Sequence, residues 1–326
     1  MSEALNFPES PAERDNWILL RRQQRNAVTA NEPYAGFVEE ECSAHGQVER
    51  VATVFLANRE CPFRCTMCDL WRNTLTESVA TGAIPRQIEA ALRRLGPATS
   101  VKLYNNGSFF DPLAIPPVDY EAIAACVRNF ERVIVECHPS FVSQRCVAFR
   151  DLLPGQLEVA IGLETVHPDV LQKLNKRMTL DQFSAAASLL RGHGIDLRVF
   201  ILVQPPFMET EESLHWAQRS MDFAFDCGAT AATLIPTRSG NGAMEALAEA
   251  GVFVAPKLKT LEEAAAYGVG LRRSRVFADL WDLKCGPECP QCFDARVRRL
   301  RVMNLKQAWT NDVPCDVCGG SDREAN

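Results

Sequence analysis

From Val51 to Arg238 the chain alternates short apolar runs, rich in β-branched residues, with longer stretches whose apolar positions recur every three or four residues. The runs Val51–Ala57, Val101–Asn105, Arg132–Glu136, Leu157–Leu163, Leu197–Val203 and Ala231–Pro236 predict six strands. The stretches between them predict helices over Pro85–Leu95, Asp119–Asn129, Ser143–Leu152, Pro168–Leu174 with Leu180–His193, and Glu209–Cys227. Near-continuous apolar strands, each followed by a helix, make a parallel sheet covered on both faces. Six βα units are too few for a closed eight-stranded barrel. The expectation is an α/β fold with a partial (β/α)6 barrel whose chemistry gathers at the carboxyl ends of the strands.

The flanks read differently. Residues 1–45 form an N-terminal extension with one helix over Pro11–Ala27, and 46–240 form the barrel. A flexible break at Ser239–Gly242 leads into a helical connector, 241–278, with helices near Ala243–Ala250 and Thr260–Ala266. Residues 279–326 form a small cysteine-rich C-terminal module.

Composition narrows the function classes. With 326 residues, 47% of them hydrophobic, the chain buries a large core, which excludes a disordered chain or a disulfide-stapled miniprotein. The 35 basic side chains against 41 acidic ones, net −6, make no general trap for nucleic acid. No DNA partner is expected, and any RNA contact is local. No apolar run reaches the roughly 18 residues that span a bilayer, and the opening MSEALNFPES is acidic where a signal peptide is basic. The expectation is a cytoplasmic protein with no membrane partner.

Thirteen cysteines in a reducing compartment point to metal binding rather than disulfides. Cys42, Cys126, Cys137, Cys146 and Cys227 are scattered and read as small core hydrophobes. Cys61, Cys65 and Cys68 sit together in the loop after the first strand. Three thiolates at that spacing wrap a cubane iron–sulfur cluster and leave one iron without a protein ligand. A zinc site would want a fourth ligand nearby, and the closest histidines, His45 and His138, are distant in sequence.

The C-x3-C-x2-C of Cys61, Cys65 and Cys68 resembles the signature of the radical S-adenosylmethionine (SAM) superfamily. Gly162-Leu163-Glu164-Thr165 ahead of Leu174-Asn175-Lys176 resembles the branch holding the Elongator catalytic subunit, the methylthiotransferases and archaeal tRNA-modifying enzymes. The resemblance covers roughly Val51 to Arg238 and implies a TIM-like radical SAM core. It implies a [4Fe-4S] cluster whose open iron chelates SAM, reductive cleavage to a 5′-deoxyadenosyl radical, and a reductant such as flavodoxin or ferredoxin.

The family's glycine-rich SAM turn falls at Asn106-Gly107-Ser108, replacing the usual Gly-Gly-Glu, and Met67 stands where an aromatic residue is frequent. Glu164 is positioned to accept from SAM's ribose hydroxyls or ammonium group. Val203 and Pro236 end the strands that wrap adenine and the methionine carboxylate, and Arg177 or Arg238 is a candidate partner for that carboxylate. Glu136 and His138, at the end of the third predicted strand, are candidate catalytic groups facing substrate, with loop capping the other reading of His138.

In the tail, Cys289-x2-Cys292 and Cys315-x2-Cys318 bring four thiolates into tetrahedral reach, with Gly319 permitting the second turn. Zinc is one occupant. Because Cys285-x3-Cys289-x2-Cys292 repeats the first cluster's spacing, an auxiliary iron–sulfur cluster with Cys285 as a ligand is the other. Between the knuckles Arg296, Arg298, Arg299, Arg301 and Lys306 suggest a positive face for RNA phosphates or a solvated helix face. The reading is a radical SAM enzyme whose substrate is a nucleoside in RNA, with a small metabolite, a peptide, or a non-catalytic metal- or RNA-binding scaffold as alternatives.

Overall fold

A computed structural model describes residues 7–283, 285 and 288–318; the turn expected at Gly319 lies outside them. Eight strands form one curled sheet in the order β1 to β8: Ala35–Cys42, Val48–Phe55, Ser100–Tyr104, Arg132–Glu136, Gln156–Glu164, Asp196–Val203, Ala231–Pro236 and Arg275–Ala278. β1 runs antiparallel to β2, and β2 through β8 are parallel. The connections carry α2 (Ala83–Arg94), α3 (Tyr120–Val127), α4 (Gln144–Leu152), α5 (Pro168–Lys173), α6 (Leu180–Gly192), α7 (Ser213–Asp226), α8 (Ala243–Glu249) and α9 (Leu258–Gly270). α1 (Pro11–Leu19) precedes the sheet and α10 (Phe293–Lys306) follows it.

The six predicted strands are β2 to β7, and the partial α/β barrel is as expected. Two further strands flank them. β1 lies within the N-terminal extension, where Glu39, Glu40 and Glu41 hide the strand pattern, and β8 is four residues opening on an arginine. The N-terminal helix is shorter than the predicted Pro11–Ala27. It ends at Leu19, and the chain then runs over the cluster-loop region, with the Asn26 amide donating to the Arg72 carbonyl at 2.8 Å.

Alternation divides the sheet into two faces. Val101, Leu103, Val133, Val135, Leu157, Val159, Val199 and Ile201 point outward into one apolar core with the helices. The inward positions at the amino ends of the parallel strands are charged instead. Lys102 reaches Glu41 at 2.6 Å and Glu39 at 2.8 Å, and Arg198 donates to Glu158 at 2.6 Å and also bonds Glu41. Arg275 and Arg132 reach Glu158 at 2.8 and 3.1 Å. Burial works against the Glu158 charge, but Arg198, Arg275 and Arg132 outweigh it and hold the carboxyl down at about 2. This network floors the barrel and joins β1 to β6 across its bore.

The far edge of β8 is closed without another strand. Asn304 on α10 donates to the Ala278 carbonyl and accepts from its amide, both at 2.8 Å, while Gln307 does the same for Val276 at 2.9 and 2.7 Å. Two side-chain amides thus take the hydrogen bonds of a missing neighbour and blunt an edge that would otherwise invite pairing.

Candidate active site

Cys61, Cys65 and Cys68 lie in the loop leaving β2, at the carboxyl end of the barrel. The loop is tied from three sides. From the segment after α5, the Leu174 and Lys173 carbonyls accept from the Thr66 amide and hydroxyl at 2.9 and 3.0 Å, and Asn175 donates to the Arg64 carbonyl at 2.8 Å. From the end of β7, Asn241 donates to the Thr66 and Cys68 carbonyls at 2.7 and 3.2 Å while its Oδ1 accepts from the Met244 amide of α8. From the N-terminal segment, Arg22 at 2.6 Å and Arg25 grip Glu60, which Arg64 also reaches at 3.1 Å. Burial disfavours the Glu60 charge, but the Arg25 and Arg22 hydrogen bonds win and hold its carboxyl below the usual range.

The three thiols themselves are pushed up to about 12 by burial. They remain protonated near neutrality unless a metal takes the proton's place. Among the described residues one group of thiols is compact enough for a single ion, and these three are not it.

Beside the loop, Lys176 and Glu164 pair at 2.7 Å, both nearly buried. Glu164 ends β5 in a left-handed conformation, φ 66°, after the β5–β6 register shifts between Gly162 and Glu164. Its carboxylate folds back over Gly162, where an added Cβ would lie 2.0 Å from Glu164 Oε1 and 2.6 Å from Lys176 Nζ. Gly162→Ala is therefore expected to destabilise the cluster-free chain by about 1–3 kcal/mol, the usual range for overpacking. Urea unfolding should show it, and an unchanged midpoint would mean the pair has room to move.

Two further strand ends meet here. The Asn105 amide donates to Glu136 at 3.1 Å, yet burial prevails and lifts the Glu136 carboxyl to about 7. His138 Nδ1 accepts from the Ser140 amide at 3.2 Å, so Nε2 carries the proton and donates to the Lys176 carbonyl at 2.9 Å. The ring stacks on Phe63 of the cluster loop, centroids 3.8 Å apart, and burial together with Lys176 lowers its pKa to about 3. The imidazole is thus a neutral brace that caps its loop. Glu136→Gln, which keeps the acceptor and drops the charge, is expected to stabilise the cluster-free chain more at pH 8 than at pH 5. A carboxyl with a raised folded pKa contributes fully below its unfolded value near 4.3 and loses that contribution as pH rises through about 7. Equal effects at both pH values would overturn this.

The other expected site residues are dispersed around the same mouth. Gly107 backs onto Cys61, an added Cβ lying 3.3 Å from Cys61 Cβ. Ser108 accepts from the His138 amide at 2.9 Å, and Asn106, φ 54°, accepts from the Tyr34 hydroxyl at 2.8 Å. Met67 packs between Trp17 and Leu202 neighbours, against two small apolar clusters. Val203 ends β6 with its carbonyl taken by Thr237, and Pro236 pairs with it in register. Both arginines have protein partners: Arg177 pairs with Asp15 at 2.5 Å, and Arg238 pairs with Asp279. Lys176, Asn175, Asn241 and Glu60 were not expected. Lys176 had a signal, since it stands within the Leu-Asn-Lys stretch after Glu164.

At the far end of the chain, Cys289, Cys292, Cys315 and Cys318 converge with all four sulfurs within 4.8 Å of one another, and Cys285 is outside the group. The positive face expected between the knuckles is smaller than the sequence suggests. Arg296 and Arg299 are buried and share Glu262 of α9, at 2.5 and 2.8 Å, so only Arg298, Arg301 and Lys306 of that set are exposed. No described helix is long and apolar enough to cross a membrane.

Residues 57–217 match the radical SAM superfamily. Archaeosine synthase subunit beta of Methanosarcina acetivorans is 26% identical over 265 residues, 76% of this chain and 76% of that protein. Its counterpart in Thermococcus kodakarensis is 27% identical over 167 residues, 48% of this chain and 51% of that one. Among solved structures, the archaeal Elp3 of Methanocaldococcus infernus, lacking its N-terminus, shares the fold with a TM-score of 0.51 and 14% identity. That match covers 68% of this chain and 59% of the Elp3 chain, less than two thirds of it. With its curled α/β sheet and three thiols in the loop after β2, the chain carries a radical SAM domain over residues 57–217 and is a radical SAM enzyme.

Proposed function

We propose that Cys61, Cys65 and Cys68 hold a [4Fe-4S] cluster, that SAM binds beside it, and that the enzyme abstracts hydrogen from a nucleoside in RNA. When bound, the reduced cluster and SAM supply a 5′-deoxyadenosyl radical, an oxidant of C–H bonds that no side chain provides. The observation that carries the reading is the placement of the trio: three thiols in the single loop leaving β2, at the carboxyl end of the parallel strands. Phe55, Tyr104, Glu136, Phe200 and Thr233, all inward by alternation, are half-buried where their outward neighbours are fully buried. Thr233 Oγ1 is buried without a hydrogen-bond partner among the described residues, a donor left for a ligand.

This chain's part is placement and exclusion of water. The Asn106-Gly107-Ser108 turn against Cys61 offers close backbone approach, Glu164 an acceptor, and the backbone at Pro236 and at Val203, whose side chain packs in the outer core, the walls of a flat pocket. Arg177, Arg238 and Lys176 are already paired with Asp15, Asp279 and Glu164, so a SAM carboxylate would share one of these cations with its protein partner. On this reading residues 1–45 strap the cluster loop and add β1, 46–240 carry the reaction, 241–278 connect and end in β8, and 279–326 form a metal-binding module packed on the barrel edge.

The substrate class is supported by a ladder of partly exposed rings along β1 and β2. Phe55 lies 5.5 Å from Tyr34 and 5.9 Å from Phe37, which stacks on Trp281 at 5.2 Å. Unstacked bases of RNA bind to such rings. Similarity to a subunit of archaeosine synthase favours an RNA nucleoside over a small metabolite or peptide, and implies a companion subunit. A one-electron reductant such as flavodoxin or ferredoxin completes the set, in a reducing cytoplasm suited to a chain with thirteen cysteines.

The test is anaerobic reconstitution of the chain and of Cys65→Ala. The wild type is expected to hold about four irons and form 5′-deoxyadenosine from SAM, and the variant to lose the iron and fall to below about 1% of that rate. A wild type that binds no iron, or a variant equally active, refutes the site. Comparing RNA nucleosides by mass spectrometry from cells with and without the gene tests the substrate, and an unaltered set of nucleosides refutes the RNA reading.

A further inference from the structure

We infer that Cys289, Cys292, Cys315 and Cys318 hold one Zn2+ in a closed four-thiolate site, and that this ion clamps the open edge of the barrel through α10. Zn–S bonds of about 2.3 Å place the sulfurs of a tetrahedron about 3.8 Å apart. The structure sets Cys289 and Cys315 at 3.8 Å and Cys292 and Cys318 at 3.6 Å, with all four sulfurs within 4.8 Å. A cubane spreads its thiolates over different irons, and a two-iron cluster separates its thiolates into pairs across bridging sulfides. Neither lets all four sulfurs share one tetrahedron's edges. Cys285, the residue an auxiliary cluster would recruit, lies outside the group. Of the single ions that accept four sulfurs, zinc binds more tightly than ferrous iron and leaves no open position, which marks a structural rather than a reacting site.

The consequence runs along the chain from the ligands. α10 starts at Phe293, next to Cys292, and its first turn is pinned by the Phe293 amide on the Cys289 carbonyl at 3.1 Å. One turn on, Arg296 and Arg299 meet Glu262 of α9. The last turn carries Asn304 and Gln307, which supply all the edge hydrogen bonds of Ala278 and Val276. The ion joins the two ends of the segment 289–318 around that helix, so it holds in place the side chains that stand in for a ninth strand.

The experiment counts metals in the full chain after anaerobic reconstitution. The wild type should carry about one zinc beside the irons of the first cluster. Cys289→Ser and, separately, the exposed Cys318→Ser should lose the zinc while iron and sulfide stay unchanged, and Cys65→Ala should do the reverse. Loss of iron at the first site therefore leaves this count untouched, so the two proposals fail separately. In zinc-free Cys318→Ser, the amides of Val276 and Ala278 should exchange hydrogen at least about tenfold faster, as local opening of an unsecured edge requires. Should the serine variants fail to fold, zinc-edge absorption of the wild type, with four sulfurs near 2.3 Å, is decisive. Roughly eight irons with matching sulfide in the wild type, a lone iron, or no metal at these cysteines would overturn the assignment. Unchanged exchange at Val276 and Ala278 in the zinc-free chain would overturn the clamp.

Discussion

Arg198→Met is expected to cost the cluster-free chain about 3–5 kcal/mol, the range for breaking a buried ion pair by removing one partner. Arg198 is nearly buried and bonds Glu158 and Glu41 at once, so its loss leaves the barrel floor one positive charge short, with Glu158 held by Arg275 and Arg132 and Glu41 by Lys102. The double variant Arg198→Met/Glu41→Leu removes one charge of each sign. It leaves Lys102 with Glu39, and Glu158 with Arg275 and Arg132. About half of the loss should return, because an apolar substitute avoids the desolvation that the charges must overcome. Urea unfolding of the three chains measures this. A single variant costing under about 1 kcal/mol would mean that water reaches the floor and screens the pair.

The same network sets the acid limit of the fold. Glu158 and Glu41 both have folded pKa values below their unfolded ones, once the facing cations outweigh burial. A depressed carboxyl contributes stability that is present above the unfolded value near 4.3 and is lost as pH falls through the folded value, about 2 for Glu158. That span is worth on the order of 3 kcal/mol for one such group. The contribution of this network should therefore hold from pH 8 to about 5 and fall between about 4.3 and 2.

This network also explains what the sequence conceals. β2 to β7 are legible because their outward residues, such as Val101, Leu103, Val133, Val135, Leu157 and Val159, are apolar at every second position, and the inward residues between them are small or apolar often enough to complete a run. β1 is illegible by the same rule. Its inward positions Glu39 and Glu41 face Lys102 and Arg198, partners far away in sequence, so a strand built for a charged interior reads as a solvated acidic stretch. β8 fails for brevity, and because its edge is satisfied by Asn304 and Gln307, two amides with no strand signature.

At the site, the residues that hold a ligand by type were legible, and those that hold the loop were not. Three cysteines at fixed spacing announce their chemistry, and so do two paired knuckles. Asn241 sits within Ser239–Gly242, read from composition as a flexible break. Its amide instead spans from the Thr66 carbonyl to the cap of α8. The arginines of α10 err in the opposite direction: five cations in one stretch suggest a surface for phosphate, but two of them face the single buried carboxylate of Glu262. A side chain's charge is visible in sequence, whereas its partner depends on the packing of two helices.

The second large effect is expected at Lys176, where the floor's logic recurs at the mouth. Lys176→Met preserves length and removes the ammonium that faces Glu164 at 2.7 Å. Burial lowers the Lys176 pKa, but Glu164 and Cys65 outweigh it, and the ammonium titrates above its ordinary value. A base with a raised folded pKa contributes fully below its unfolded value near 10.4 and loses that contribution only as pH rises through the folded one. The deficit of the variant, about 3 kcal/mol for an orphaned carboxylate, should therefore be constant from pH 6 to pH 9. Glu164→Gln/Lys176→Met should recover most of it, since no charge is then left alone. The two variants should also differ in a second readout. Both lack the cation beside Cys61 and Cys65, whose field favours negative charge on those sulfurs. Removing the positive charge alone should move the cluster's reduction potential to more negative values in Lys176→Met, whereas the double variant, which loses one charge of each sign near the sulfurs, should move it far less. A potential displaced in Lys176→Met and largely restored in the double variant would assign Lys176 to the electrostatics of the cluster; a potential unmoved in both would reduce it to packing.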